Sequence, residues 1–313
     1  MPYPYDVREI NERAINDSKG FAKECEAIYT RKVHEAAGSI KERAEFCRVV
    51  LLSGPSGSGK TTTAHKICSA LEHIGITAHP ISLDKYYLPF NPETIPRQDS
   101  GEADLESPYC LDLKMINAHF DALNKGDEVL VPHFNFKAQN RDPAKEKALK
   151  LGSDEVVIFE GIHALSDLLA DGHPDAFKLY ISARSDMELD GAILFKRTWA
   201  RLLRRIVRDE NFRGTGASET LKMWANVREG EKKYISPFKY KADLLFDSSM
   251  PYEIPVMKRF ALKALGNVPD GTERLDELRS LLPALCKFED MDCDLVPPES
   301  ILREFIGGGM YKY

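Results

Sequence analysis

The chain lacks several features that would place it in a special class. Its six cysteines (Cys25, Cys47, Cys68, Cys110, Cys286 and Cys293) contain no C-x-x-C pair and no zinc-ligand spacing. Most lie among apolar neighbours, which predicts reduced, buried thiols rather than a disulfide framework. No apolar stretch reaches the length of a membrane span. The start, Met1-Pro2-Tyr3-Pro4-Tyr5-Asp6, lacks the basic and apolar parts of a signal sequence, so a cytoplasmic protein is expected. Excess positive charge is missing too: the net charge is -6, which argues against general affinity for nucleic acid or membranes while leaving room for a local basic patch. There is no internal repeat and no low-complexity tract.

What is present is ordinary globular material. The 313 residues give room for one large α/β domain with additions, or for two domains, and a 43% hydrophobic content supports a sizeable core. From about residue 6 to 46 the chain is charged and helix-prone, with apolar residues at Val7, Ile10, Ala14 and Ile15. Two or three modest helices are expected there, interrupted at Gly20 and Gly38. From about Cys47 strand and helix patterns alternate. Strand candidates are 48–53, 77–83, 128–131, 155–159, 177–182 and 242–246; helix candidates are 59–74, 111–124, 189–211 and 217–234. That alternation predicts a doubly wound parallel sheet with helices on both faces, and ligands beyond the carboxyl ends of its strands. The polar, proline-bearing stretch 132–154 reads as loop or hairpin. Further helical segments are expected near 272–287 and 299–305, before the tail that begins Gly307-Gly308-Gly309. The division is therefore an N-terminal helical extension (1–46), a core (47–264) and a C-terminal helical extension with tail (265–313).

The densest information lies in Gly54-Pro55-Ser56-Gly57-Ser58-Gly59-Lys60-Thr61, which reads G-x-x-x-x-G-K-T and follows the apolar run Val49-Val50-Leu51-Leu52. This is the phosphate-binding P-loop in its required setting, strand before and helix after. The glycines let successive backbone N–H groups turn toward a phosphate, and the following helix aims its positive end at the same anion. Gly54, Ser56, Gly57, Ser58, Gly59, Lys60, Thr61 and Thr62 are the expected nucleotide-binding residues. Lys60 is expected to reach the β- and γ-phosphates, and the Thr61 hydroxyl to hold Mg²⁺.

Three other segments carry chemistry. Asp84 ends the second strand, one strand on from the P-loop, where a kinase needs a carboxylate beside the acceptor hydroxyl; a strand-end cap is the competing reading. Glu160 directly follows Val156-Val157-Ile158-Phe159, a costly place for a carboxylate unless a cation compensates it; Mg²⁺ fits, and a helix N-cap is the alternative. Arg197, Arg201, Arg204, Arg205 and Arg208 fall on one helical face, with Leu203, Ile206 and Val207 turned toward a core. Such a face suits phosphate clamping, or a lid over about 196–216 that excludes water; a solvated charged face and a nucleic-acid patch are the other readings.

Together these segments resemble the uridine kinase and phosphoribulokinase family of P-loop kinases. The resemblance runs from about Val49 to Lys258. It rests on the P-loop through Thr62, Ser82-Leu83-Asp84-Lys85-Tyr86-Tyr87, Val131-Pro132-His133-Phe134-Asn135-Phe136, Phe159-Glu160-Gly161-Ile162-His163, the run Arg201 to Asp209, and Lys241-Ala242-Asp243. Phe212-Arg213-Gly214, Trp224, Val227-Arg228-Glu229-Gly230-Glu231 and the ending Ser300 to Gly308 bring it closest to a longer bacterial nucleoside-kinase branch. Members of that branch often carry an N-terminal domain like that of threonyl-tRNA synthetases, which is expected to be absent here.

The resemblance implies ATP and Mg²⁺ as cofactors, Asp84 as catalytic base and Glu160 with Thr61 as the magnesium ligands. It sets Lys60, Arg204 and Arg208 beside the transferred phosphate. It implies a nucleoside pocket containing Tyr87, Glu106 (in place of the family's ribose-binding aspartate), Phe134, Gln139, Arg141, Arg201 and Arg213. Uridine-cytidine kinases typically show Tyr-Asp-Phe and then a histidine that reads the pyrimidine edge; here Phe134-Asn135-Phe136 and Gln139 stand in those places, which leaves the base open. The expected activity is transfer of the γ-phosphate of ATP to a nucleoside 5′-hydroxyl. A kinase for another sugar or sugar phosphate, and a nucleotide-dependent switch or binding protein, are the alternatives. A small-molecule nucleoside is the expected partner, with no nucleic acid and no membrane, and the family's frequent self-association makes a homo-oligomer an expectation as well.

Overall fold

The computed structural model describes residues 3–99 and 101–311. Its central sheet has five parallel strands: β1 (Val49–Ser53), β2 (Thr77–Ser82), β3 (Glu155–Glu160), β4 (Phe177–Ser182) and β5 (Leu244–Asp247). Their spatial order is β5-β4-β1-β3-β2. Val49 sits opposite Val157 on one side of β1, and Val50 opposite Phe177 on the other. The chain thus leaves central β1, skips a place to form β2, returns for β3, and then moves to the other flank. Beside β1 the winding reverses, which opens a crevice at the carboxyl ends of the strands.

The strands are nearly continuous apolar runs because both faces are covered. Val50, Leu52, Leu179 and Ile181 enter one core; Val49, Leu51, Val157 and Phe159 enter the other. The first face carries helices α1 (Val7–Asn16), α2 (Ser18–Ala44) and α3 (Lys60–His73). Helix α4 (Leu113–Lys125) covers the second face through Ile116, Phe120 and Leu123. Later come α5 (Arg197–Arg208), α6 (Ala217–Tyr234), α7 (Glu253–Leu265), α8 (Leu275–Leu285) and the single turn α9 (Arg303–Ile306). Cys25, Cys47, Cys68 and Cys110 are buried free thiols, whereas Cys286 is exposed and Cys293 partly so. Among the described residues no helix is long and apolar enough to cross a membrane.

Several expected elements move. Gly20 and Gly38 do not interrupt the N-terminal region: α2 runs unbroken for 27 residues. Gly20 lies in its first turn, where its N–H is capped by Asp17 at 3.1 Å, and the buried stripe Val33, Ala36, Ala37, Ile40 outweighs the cost of roughly 1 kcal/mol for Gly38. Ile15, expected with the apolar face, is exposed. The helix expected over 189–211 begins only at Arg197, because Met187–Leu189 and Ala192–Phe195 form a hairpin turning at Asp190-Gly191, both with positive φ. Asp-Gly is a hairpin signal in its own right. The strand at Val129–Val131 lies outside the main sheet and pairs with Lys147–Leu149, which makes 132–154 the expected hairpin. Of the helix expected at 299–305 only the turn of α9 forms.

Candidate active site

The P-loop joins β1 to α3 at the sheet's crevice. Gly57 and Gly59 adopt φ of 74° and 81°, the left-handed region that favours glycine. A Cβ at Gly57 would press on the Arg201 carbonyl oxygen, and one at Gly59 would overlap the Ile301 side chain. The loop is therefore a closely lined cradle whose fit to a phosphate depends on these glycines.

A cavity of about 670 Å³ opens over it, and it gathers Ser56, Gly57, Gly59, Lys60, Thr61, Asp84, Glu160, Arg208 and Arg213. Lys60 Nζ folds onto the Pro55 carbonyl at 3.3 Å. Burial lowers its affinity for a proton, while Glu160, Asp84 and Glu304 pull the other way. The Thr61 hydroxyl donates to Glu160 Oε1 at 3.4 Å. Glu160 ends β3 with only 6% exposure, and burial pushes its carboxyl up to about 7 against the field of Lys60. Two oxygen donors, one an almost buried carboxylate, suit a hard cation such as Mg²⁺.

Asp84 sits in the helical turn Leu83–Tyr86 after β2, where its N–H donates to Ser82 Oγ. Its side chain is open to the cavity yet enclosed by protein beyond it. That enclosure raises its pKa, opposed by Lys60, Arg213 and Arg208. A carboxylate facing three cations inside a cavity is placed to accept a proton while those cations meet phosphate charge.

The arginine helix differs from expectation. Arg204 is fully buried: Nε donates to Glu253 at 2.6 Å, Nη2 to the Ser248 carbonyl at 2.8 Å and Nη1 to the Gly57 carbonyl at 3.2 Å. Arg201 donates to Glu231 at 2.6 Å, over the Trp224 ring. Both are taken out of the cleft, and Arg204 reaches the site only by bracing the P-loop backbone. Their partners lie on α6 and α7, elements that sequence spacing could not bring to this face. Arg205, Arg208 and Arg213 converge instead on buried Asp209, and Arg205 also donates to Ser56 Oγ at 3.0 Å. Only the end of α5 and the turn Asp209–Arg213 border the cavity.

A second cavity, of about 260 Å³, lies past Tyr87 and holds the expected Phe134 and Gln139. Tyr87, Phe134 and Phe136 form a triangle of rings with centroids 5.2 to 5.9 Å apart. Gln139 adopts a φ of 50°, and its carbonyl accepts from Phe90 N at 3.1 Å. Asn135 Oδ1 accepts from the N–H groups of Lys137 and Ala138, making it a turn-former. Glu106, expected in the nucleoside pocket, is not among the residues lining either cavity; its carboxyl is pushed up to about 7, by burial first, with Arg205 opposing and Asp104 reinforcing. Arg141 lies outside both cavities and pairs with Asp112, the N-cap of α4, at 2.9 Å.

Sequence reasoning missed Phe90, Tyr109 and Phe136 in the second cavity, although the aromatic interruption of polar loops was a usable signal. It also missed Glu304. The carboxylate of Glu304 accepts from the Thr62 hydroxyl at 2.5 Å and the Thr62 N–H at 3.3 Å. A contact spanning most of the chain leaves no local pattern. Ser58, on the loop, is buried with no partner for its hydroxyl among the described residues.

A P-loop on a 2-3-1-4-5 parallel sheet, with Glu160 ending the adjacent strand β3 and Asp84 just past the end of β2 beyond it, defines a phosphotransferase with a hydroxyl acceptor. Residues 49–254 match the Phosphoribulokinase / Uridine kinase family, and the chain belongs to it. A uridine kinase of Halobacterium salinarum is 28% identical over 195 residues, 62% of this chain and 77% of that protein. A uridine kinase of Saccharomyces cerevisiae is 30% identical over 201 residues, 64% of this chain but 36% of that protein. A solved structure described as a possible uridine kinase from Bacillus stearothermophilus is 17% identical, with a TM-score of 0.40, covering 67% of this chain and all of that one.

Proposed function

We propose that this kinase transfers the γ-phosphate of ATP to the 5′-hydroxyl of a nucleoside. The observation that carries the reading is the pairing of two cavities. One holds a P-loop with Asp84, and the other, reached through Tyr87 three residues on, is walled by aromatic rings suited to a base. The uridine kinases among its relatives support the same substrate class.

In this reading the P-loop amides and Lys60 bind the phosphates. Thr61 and Glu160 hold Mg²⁺, which when bound neutralises charge on the phosphate oxygens. Asp84 orients the acceptor hydroxyl and takes its proton. Arg208 and Arg213, kept in place by Asp209, face the charge that develops on the transferred group. Tyr87, Phe134 and Phe136 hold the base, and Gln139 offers both a donor and an acceptor to its edge.

The test is ATP turnover with Mg²⁺ against a panel of nucleosides and sugars, with an Asp84→Asn variant alongside. A nucleoside 5′-monophosphate, formed by the wild type and lost in the variant with ATP binding intact, is the expected result. Turnover with sugars alone, or with no acceptor in the panel, overturns the nucleoside assignment.

A further inference from the structure

Glu304 stands where an anion belongs. Thr62 is the third residue of α3, and its N–H is one of the amides at a helix N-terminus that have no partner within the helix. Such amides after a P-loop normally face phosphate. Lys60 and Thr61 serve the outer phosphates and the metal, so the Thr62 amide and hydroxyl are the donors left for the phosphate nearest the nucleoside. Here both already donate to one carboxylate oxygen of the chain itself.

The segment that delivers Glu304 is firmly seated. Ile301 packs on Gly59, and Phe305 lies under the Arg204 guanidinium at 5.4 Å. Asn211 donates to the Phe305 carbonyl at 3.2 Å, and Lys66 to the Glu299 carbonyl at 3.0 Å. Ile301, Leu302 and Phe305 are completely buried. Lifting the whole segment would uncover all three, so rotation of the Glu304 side chain is the less costly movement.

We propose that Glu304 is a donor-specificity residue: an internal anion that occupies the nucleoside-proximal end of the P-loop, so that a nucleotide gains its α-phosphate contacts only by displacing this carboxylate. The inference rests on the nucleotide-binding reading of the P-loop and requires no turnover to be tested. A phosphate and a carboxylate cannot both accept from the same N–H and hydroxyl, so occupancy is exclusive. A ligand that fills only the outer subsites, such as pyrophosphate, does not displace Glu304 and meets only its field, the field that also acts on Lys60. The residue therefore weakens nucleotides selectively and leaves the outer subsites preformed.

Equilibrium binding of ATP and of pyrophosphate to the full chain, with Glu304→Gln and Glu304→Ala variants, tests this. Thermal melting of each variant accompanies the titrations. The expected result is that ATP binds roughly tenfold tighter to both variants, the effect of removing one charge-assisted competitor, while pyrophosphate affinity stays within about twofold. Equal tightening of both ligands means that only the net charge of the cavity changed, and overturns the positional claim. Unchanged or weaker ATP binding makes Glu304 a brace of the loop, and also overturns it. If Glu304→Ala fails to fold, Glu304→Gln, which keeps shape and hydrogen bonding, decides alone. Binding of neither ligand by the wild type would strike the nucleotide reading itself, whereas ATP binding at one affinity throughout strikes this proposal alone.

Discussion

Arg204 Nη1 donates to the Gly57 carbonyl at 3.2 Å, while its Nε is held by Glu253 at 2.6 Å. The P-loop is thus tied, through a buried ion pair, to the first residue of α7. An arginine that looked like part of a phosphate clamp is a strut. Replacing it removes one partner of a pair in which both side chains are almost completely buried. Arg204→Leu is expected to lower unfolding free energy by about 3–5 kcal/mol, and the double change with Glu253→Leu to recover most of it. Denaturant titration of the three variants measures this. A single-variant loss of less than about 1 kcal/mol would contradict the strut.

Asp84 is expected to act on the chemical step rather than on nucleotide binding. Asp84→Asn should lower kcat by roughly 10²- to 10⁴-fold, the usual range for a lost general base, with ATP affinity within a few-fold. Single-turnover phosphoryl transfer beside equilibrium ATP binding separates the two. A variant that keeps full kcat assigns Asp84 to capping alone.

The aromatic triangle should read a base and ignore a sugar. Phe134→Ala removes one wall, at a cost of about 1–3 kcal/mol per stacked base, and is expected to raise nucleoside KM by about ten- to a hundredfold with a smaller change in kcat. Steady-state kinetics with the best acceptor of the panel check this. An unchanged KM moves the acceptor out of that cavity.

His163 supplies a pH signature of the fold. It is buried, and burial, helped by Lys60, lowers its pKa from 6.5 to about 4. Between those values the unfolded chain binds a proton that the folded chain refuses. The stability His163 contributes is therefore complete above about pH 6.5 and is lost as pH falls toward 4, on the order of 3 kcal/mol in all. Glu106 and Glu160, with raised pKa values, slope the opposite way across part of this window, so the comparison must be made between variants. The difference in unfolding free energy between wild type and His163→Asn should shrink as pH falls from 7 to 4. A constant difference would mean that His163 does not titrate as its surroundings demand.

Much of the fold was legible because its signals are local. The apolar runs of β1, β3 and β4 and the G-x-x-x-x-G-K-T turn fix strand, loop and helix within a few residues of one another. Asp84 and Glu160 lie at strand ends and Lys60 and Thr61 directly after the glycine loop, so local pattern alone predicts that they share the one cavity they line. Arg201 and Arg204 were misread because helical periodicity groups side chains on a face and says nothing of what covers that face. The cover is Glu231 and Glu253, far along the chain. Arg141, placed near the substrate only by the resemblance, instead pairs with Asp112, the cap of α4. The missed hairpin at Asp190-Gly191 was legible, and the helical pattern after it simply outweighed it.

Residues 49–254 are the span the family shares, yet they do not close one face of their own sheet. Tyr29 of α2 meets Thr63 of α3 through a 2.6 Å hydrogen bond, and Glu26 receives the Tyr252 hydroxyl at 2.6 Å. From the other end of the chain Leu281, Leu285, Ile301 and Phe305 enter the same core. A fragment trimmed to the shared span would leave the underside of α3, the helix that carries Lys60 and Thr61, facing water. The sequence on either side of the shared span supplies a wall of the core that the span lacks.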